Sequence, residues 1–322
     1  MENEERTDLT AFSEKIDAVR RQIATVIVGQ QKAVDLLLTC ILADGHVLLE
    51  GVPGTAKTLM AKLVSRLIDA RFSRIQFTPD LMPSDVLGTS VYDMRTSTFD
   101  FHRGPVFANV ILADEINRAP AKTQSALFEV MEERQATIDG KTYPMEDVYT
   151  IIATQNPVEQ EGTYRLPEAQ LDRFLMKIVL DYPSEEEELQ ILQRHDANAT
   201  FVRLDGIQPV LTQTELLRMR GMLDKVHVDA SLLAYIVQIV QQTRHSKAVY
   251  LGASPRASVA MLRCAKAYAL LQGRDFVTPD DIKQVTPSVL RHRLALTAEA
   301  EMEGLTPAKV AVRLVEKVEV PK

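Results

Sequence analysis

Apolar positions along the chain change their spacing twice. Between Glu14 and Ala43, Ile16, Val19 and Ile23, then Val34, Leu37, Leu38 and Ile41, recur at helical intervals around a break at Val28-Gly29-Gln30. Two helical stretches joined by a turn are predicted. After Gly45 the pattern becomes short continuous runs: Val47-Leu48-Leu49, Ile75-Gln76-Phe77, Val110-Ile111-Leu112-Ala113, Ile151-Ile152-Ala153 and Ile178-Val179-Leu180. Runs of this length suit strands buried on both faces. Leu59, Met60, Leu63, Val64, Leu67 and Ile68 form the apolar face of a helix behind the first run. Strand and helix in alternation predict a layered α/β domain with a mostly parallel sheet.

Two segments interrupt that alternation. Between Asp85 and Val106, TSVYD and TFDFH flank a polar break, which predicts a hairpin. Between Arg134 and Met145, ATI and KTY flank Asp139-Gly140, a dipeptide suited to a type I′ turn because both central residues need positive φ. Beyond Pro183 the strand pattern stops, and four or five helices are expected. Ser184 ahead of four glutamates, Thr212, Ser254-Pro255 and Thr278-Pro279-Asp280 supply their capping signals. The division predicted is an α/β domain over residues 1–205 and an all-helical one over 206–322.

Composition narrows the function classes. The 322 residues are 46% hydrophobic, enough for a full core, and carry 37 Lys+Arg against 44 Asp+Glu for a net charge of −7. That balance disfavours a dedicated nucleic-acid binder. No secretory signal is legible in MENEERTDLT, and Leu232 to Val240, the longest strongly apolar stretch, is far short of a membrane span. A cytoplasmic protein is expected. Cys40 and Cys264 have apolar neighbours and are expected to be buried free thiols, and the six histidines lack metal-ligand spacing.

The candidate chemistry begins at Gly51-Val52-Pro53-Gly54-Thr55-Ala56-Lys57-Thr58, which follows a strand-like run and opens an amphipathic helix. Only in that context can such a segment work as a phosphate loop. Backbone N–H groups and the helix terminus surround a β-phosphate, Lys57 reaches the β- and γ-phosphates, and Thr58 offers a ligand to Mg²⁺. The strict pattern has Gly where this chain has Ala56, a substitution tolerable if that position already has helical φ. A plain glycine-rich turn is the alternative. The third apolar run ends in Asp114-Glu115, where Asp114 would hold the Mg²⁺ through water and Glu115 would polarise an attacking water; capping of a strand end is the alternative. Asn156, after the fourth run, becomes a water-orienting candidate if the two strands are adjacent, although Asn-Pro is also a good turn.

With these segments in view, the chain resembles the MoxR family of AAA+ ATPases, in the helix-2-insert group that also holds magnesium-chelatase motor subunits. The resemblance covers nearly the whole chain through VGQ at 28–30, GVPGTAKT at 51–58, LADEINRAP at 112–120, ATQNP at 153–157, LPEAQLDRF at 166–174 and GASPRA at 252–257. Ala before the lysine is that family's habit. The likeness implies a P-loop AAA+ core with a parallel sheet, two hairpin inserts and a smaller helical lid. It implies ATP and Mg²⁺, with Val28 and Gly29 beside the adenine and Leu59 joining residues 51–58 around the nucleotide. It also implies Asn156 as first sensor, Arg173 as an arginine finger for a neighbouring subunit, and Arg256 as second sensor. Taken on single residues, Arg173 could equally pair with Glu168 or Asp172, and Arg256 could be a surface charge. Arg118 matches a family position whose role stays unassigned.

The function implied is ATP hydrolysis in a homo-oligomeric, hexameric ring that remodels or matures a partner protein, one carrying a von Willebrand A domain. A nucleic-acid translocase and a magnesium-chelatase motor are the competing readings. Against the translocase, Glu132 to Asp147 carries five carboxylates and two cations, and Phe72 to Phe107 four aspartates and three arginines. Neither hairpin has the excess of cations that phosphates require.

Overall fold

Both faces of the central strands must be covered, and the helices that flank the apolar runs supply the cover. The structure is a computed structural model that describes residues 9–157, 163–164, 166–196 and 204–321; the acidic opening residues 1–8 lie outside it. Helices α1 (Thr10–Val26) and α2 (Gln31–Leu42) come first. The break between them is a left-handed turn, with φ +67° at Gly29 and +59° at Gln30. Then follow β1 (Val47–Gly51), α3 (Lys57–Leu67), β2 (Phe72–Gln76), α4 (Pro83–Leu87), β3 (Gly88–Asp93), β4 (Thr98–Arg103) and β5 (Val110–Asp114). After these come α5 (Ala121–Glu133), β6 (Gln135–Ile138), β7 (Lys141–Pro144), β8 (Thr150–Gln155), α6 (Glu168–Leu171) and β9 (Met176–Leu180).

The main sheet has the order β2-β5-β8-β1-β9 and is parallel throughout. Every residue of β5 is buried, as are the first five of β8, which is why these strands read as unbroken apolar runs. Edge strand β2 is different. It begins at Phe72, earlier than the expected Ile75, because half-buried Ser73 and exposed Arg74 and Gln76 interrupt the apolar pattern. Phe77 follows it, buried, and donates its N–H to Asp114 O at 2.9 Å.

The two inserts form as separate hairpins, β3 with β4 and β6 with β7. Asp139 at φ +50° and Gly140 at +76° provide the positive-φ pair that the second turn requires. On the first hairpin Tyr92, Met94 and Phe99 are exposed, and the rings of Tyr92 and Phe99 lie 5.1 Å apart.

Beyond Pro183 the chain is mainly helical: α7 (Glu185–Asp196), α8 (Gln213–Met222), α9 (Ala230–His245), α10 (Pro255–Leu271), α11 (Pro279–Leu290), α12 (Ala298–Met302) and α13 (Pro307–Lys317). The described residues thus hold seven helices there, more than the four or five expected. Five-residue α12 is too short to show a period, and α9, α12 and α13 begin at Asp229, Thr297 and Thr306, caps that the sequence reading passed over. A small antiparallel ribbon, β10 (Val249–Leu251) with β11 (Ala295–Leu296), interrupts the all-helical expectation. Thr212 and Thr278 form capping boxes with Glu215 and Asp281. Ser184 and Glu187 bond reciprocally, at 2.8 and 3.3 Å. Ser254 precedes Pro255 as expected, but its hydroxyl turns to Asp172 at 3.5 Å instead of capping. Among the described residues no helix is long and apolar enough to cross a membrane.

Cys40 on α2 and Cys264 on α10 are buried and free where these helices pack, and burial pushes the Cys264 thiol up to about 12. His46, just before β1, is also buried. Its Nδ1 accepts the Ile151 N–H at 3.0 Å while Nε2 faces Met131 O at 3.2 Å, so the neutral Nε2–H tautomer satisfies both. Burial, reinforced by the Arg134 charge, lowers its pKa to about 3. In the phosphate-loop candidate, Gly54 lies at φ +87° and Ala56 at φ +62°, ψ 19°. Ala56 is therefore helical in the left-handed sense, not in the right-handed region that an Ala prefers, and its Cβ makes that geometry cost roughly 1–2 kcal/mol.

Two predictions follow from this backbone and burial. Ala56→Gly is expected to leave stability unchanged or raise it by up to about 1 kcal/mol, opposite to the usual loss for this exchange in a helix. Urea unfolding measures it, and a loss of a full kcal/mol would place Ala56 outside the left-handed region. For His46, the unfolded chain takes up a proton near pH 6.5 while the folded one stays neutral until about pH 3. Its contribution is complete above pH 7 and declines as pH falls, by about 1.4 kcal/mol between pH 7.5 and 5.5. A His46→Asn protein, though less stable at pH 7.5, should lose less over that interval. Equal losses in the two proteins would refute the assignment.

Candidate active site

Gly51 ends β1 and Lys57 begins α3, so residues 51–58 lie where a central strand's carboxyl end meets a helix N-terminus. That position favours anions, because the first N–H groups of the helix lack intrahelical partners. A Cβ on Gly51 would stand 2.8 Å from Leu180 O, and Thr55 Oγ1 tightens the turn by donating to Val52 O at 2.9 Å. Pro53 and Gly54 are exposed at the tip, and Leu59 is half-buried below. The Lys57 ammonium curls over the loop and donates to Gly51 O at 2.5 Å and Val52 O at 2.8 Å.

Opposite this loop stand the acids. Ala113 pairs with Ala153 in the parallel β5–β8 ladder, so Asp114-Glu115 and Thr154-Gln155-Asn156 emerge at one end of the sheet. Asp114 is 7% exposed. Its Oδ1 accepts the Thr154 hydroxyl at 2.6 Å, and its Oδ2 lies 3.5 Å from Thr58 Oγ1. Arg74 donates twice to the same Oδ2, from Nε at 3.0 Å and Nη2 at 2.7 Å. A carboxylate oxygen and a hydroxyl on facing elements form a hard donor set, which fits Mg²⁺.

Glu115 takes left-handed backbone angles, φ 55° and ψ 50°, and donates its N–H to Thr154 Oγ1 at 2.9 Å. Its Oε2 accepts from Arg118 Nη1 and from Gln76 Nε2, both at 2.9 Å. Arg118 therefore sits on Glu115, a placement that the sequence left open. Asn156 is buried at the same end of the sheet.

Arg173 and Arg256 gather elsewhere. Arg173 Nε lies 3.6 Å from Glu132 Oε2, with its guanidinium 6.0 Å from the centre of the Phe128 ring. Arg256 Nη2 approaches the other oxygen of Glu132 at 3.3 Å. Both arginines line a cavity of about 230 Å³ to which no residue of 51–58 contributes. Asp172, weighed as a partner of Arg173, instead pairs with Arg293 at 2.6 Å. Arg293 also donates to Phe174 O at 2.7 Å and Leu175 O at 3.2 Å, so the turn that follows α11 grips the chain on both sides of Arg173.

Gln30 lines a third place, a cavity of about 430 Å³ shared with Ala33, Tyr182, Glu187, Pro287 and Arg291. Val28 and Gly29 stand beside it without lining it. A Cβ on Gly29 would collide with the Glu187 carboxylate.

Sequence reasoning missed Arg74, Gln76, Thr154 and Glu132. The first two had a usable signal: polar residues at alternate positions of a strand point to one face, and here that face borders an acidic strand end. Glu132 had none, since it is one of several carboxylates at the end of a helix.

Residues 46–176 match the family described as "ATPase family associated with various cellular activities (AAA)", and residues 241–314 match the AAA lid domain. A Bacillus subtilis protein, YeaC, is 47% identical over 93% of this chain and 92% of its own length. Chaperone MoxR1 of Mycobacterium tuberculosis is 46% identical over 94% of this chain and 81% of its own. A crystal structure of a candidate ATPase from Cytophaga hutchinsonii superposes with a TM-score of 0.88 at 43% identity, covering 98% of this chain and 97% of that one. Magnesium-chelatase subunits are more distant matches. A parallel sheet with a glycine-rich loop at its carboxyl edge, two hairpin inserts, a lid, and this likeness across almost the full length make the chain a member of the MoxR family of AAA ATPases.

Proposed function

We propose that this chain hydrolyses ATP to ADP and phosphate as one subunit of a homo-oligomeric ring, a hexamer, and uses the cycle to remodel or mature a partner protein. The observation that carries the reading is the convergence of Lys57 and Thr58 with Asp114, Glu115 and Asn156 at one end of the sheet. Lys57 exchanges its two carbonyl partners for the β- and γ-phosphates. Thr58 and Asp114 would hold Mg²⁺, which supplies charge neutralisation at the phosphates when bound. Glu115 orients and polarises the attacking water, with Asn156 beside it. The strip at Val28 and Gly29, with the cavity at Gln30, takes the adenine. Residues 1–205 form the nucleotide-binding unit and 206–322 the lid.

Arg173 is assigned to a neighbour's nucleotide, and Arg256, the match to the second sensor, is placed beside it. Support comes from the cavity they share, which none of residues 51–58 lines. A protein client, one with a von Willebrand A domain, is preferred to nucleic acid. The acid-rich hairpins support that choice, as do the exposed Tyr92, Met94 and Phe99, which offer apolar contact instead of phosphate-binding charge.

Lys57→Ala is expected to abolish ATP binding, whereas Glu115→Gln keeps binding and loses turnover by on the order of 10²–10⁴. Wild-type hydrolysis in either variant rejects the site. In the presence of ATP the Glu115→Gln protein should retain a von Willebrand A domain protein from a lysate of the source organism. Recovery of chelatase subunits, or binding to DNA that weakens steeply with salt, would favour a competing reading. Arg173→Ala should bind ATP and lose about a thousandfold in hydrolysis or more. Mixing it with Lys57→Ala restores activity above both parents, because mixed interfaces pair an intact loop with an intact guanidinium. Mixtures that exchange subunits yet stay inactive would overturn the shared site.

A further inference from the structure

Asp114 already has a cation. Arg74, on edge strand β2, places two N–H groups on Oδ2, at 3.0 and 2.7 Å, and this is the oxygen that faces Thr58 Oγ1 at 3.5 Å. The other oxygen is taken by the Thr154 hydroxyl at 2.6 Å. The face of the carboxylate turned toward the phosphate loop is therefore covered by the chain's own guanidinium. The two partners differ in freedom. The Asp114 side chain is 10% exposed and held by Thr154, whereas the Arg74 side chain is 46% exposed on a long stem. A second cation brought close to Oδ2, directly or through a water, repels the first, and the partner able to swing into water is Arg74.

We propose that Arg74 is a built-in counter-cation for Asp114 which a divalent metal must displace, so that Arg74 sets how strongly Mg²⁺ tightens nucleotide binding. The proposal rests on the nucleotide reading of residues 51–58 and adds a positioning residue to it. Without metal, the guanidinium neutralises a buried carboxylate that would otherwise repel the β-phosphate. With metal bound, that neutralisation would no longer be needed and Arg74 would turn outward. Arg74 therefore favours the metal-free nucleotide complex over the metal-bound one.

The test is the ratio of two dissociation constants for fluorescently labelled ADP on the full chain, one in excess EDTA and one in excess Mg²⁺. This ratio is the coupling between metal and nucleotide. Arg74→Gln is expected to weaken ADP binding in EDTA, hold or tighten it in Mg²⁺, and so raise the ratio about tenfold. A residue that merely braces the edge of the sheet would weaken both affinities alike, and an unchanged or smaller ratio overturns the proposal. Should the Gln variant fail to fold, Arg74→Lys carries the test. Its compact ammonium cannot make the two-pronged contact, so a ratio about threefold above wild type is expected, and one at or below wild type overturns the assignment. Wild-type protein that binds no ADP in either buffer would remove the nucleotide reading itself. Normal binding with an unmoved ratio removes only the role of Arg74.

Discussion

A carboxylate at the end of a strand buried along its whole length is expensive unless every lone pair finds a donor or a cation. Asp114 sets that condition, and much of its surroundings answers it. Thr154 on the neighbouring strand bridges the Asp114 carboxylate and the Glu115 N–H, which ties the register of β8 to that of β5 at the end where chemistry is proposed. Arg74 meets the charge from the other side, on β2. Three strands of the sheet thus converge on one acidic side chain, with Thr58 of α3 facing it. Shifting any of these strands by one residue would turn its side chain to the opposite face of the sheet.

Gln76 extends the arrangement. Its carbonyl oxygen accepts from Arg74 Nη2 at 2.7 Å and its amide donates to Glu115 Oε2 at 2.9 Å. Asp114 and Glu115 are therefore joined through β2 as well as through their own backbone. Arg118 completes the surroundings of Glu115 from one short turn downstream.

The buried strands and the helix behind the phosphate-loop candidate were legible because their apolar runs are contiguous and their caps are local. Asp139-Gly140 was legible for the same reason: a type I′ turn is specified by two adjacent residues. In edge strand β2 the apolar run begins only at Ile75, three residues into the strand, because one of its faces meets water. What the sequence could not convey was pairing across long separations. Nothing in the letters joins Glu132 to Arg173 and Arg256, which lie 41 and 124 positions away along the chain. The left-handed angles at Ala56 were equally hidden, since an alanine gives no sign of positive φ.

Arg293 holds Asp172 by its carboxylate and Phe174 and Leu175 by their carbonyls, and it also donates to Val289 O, so the turn after α11 ties the segment carrying Arg173 to that helix. That fastening makes the segment and the helix one lever. In the ring proposed above, a tilt of one subunit's lid would carry its guanidinium toward or away from the adjoining nucleotide. Lid and guanidinium would then move as one piece, joined by side chains that touch no phosphate.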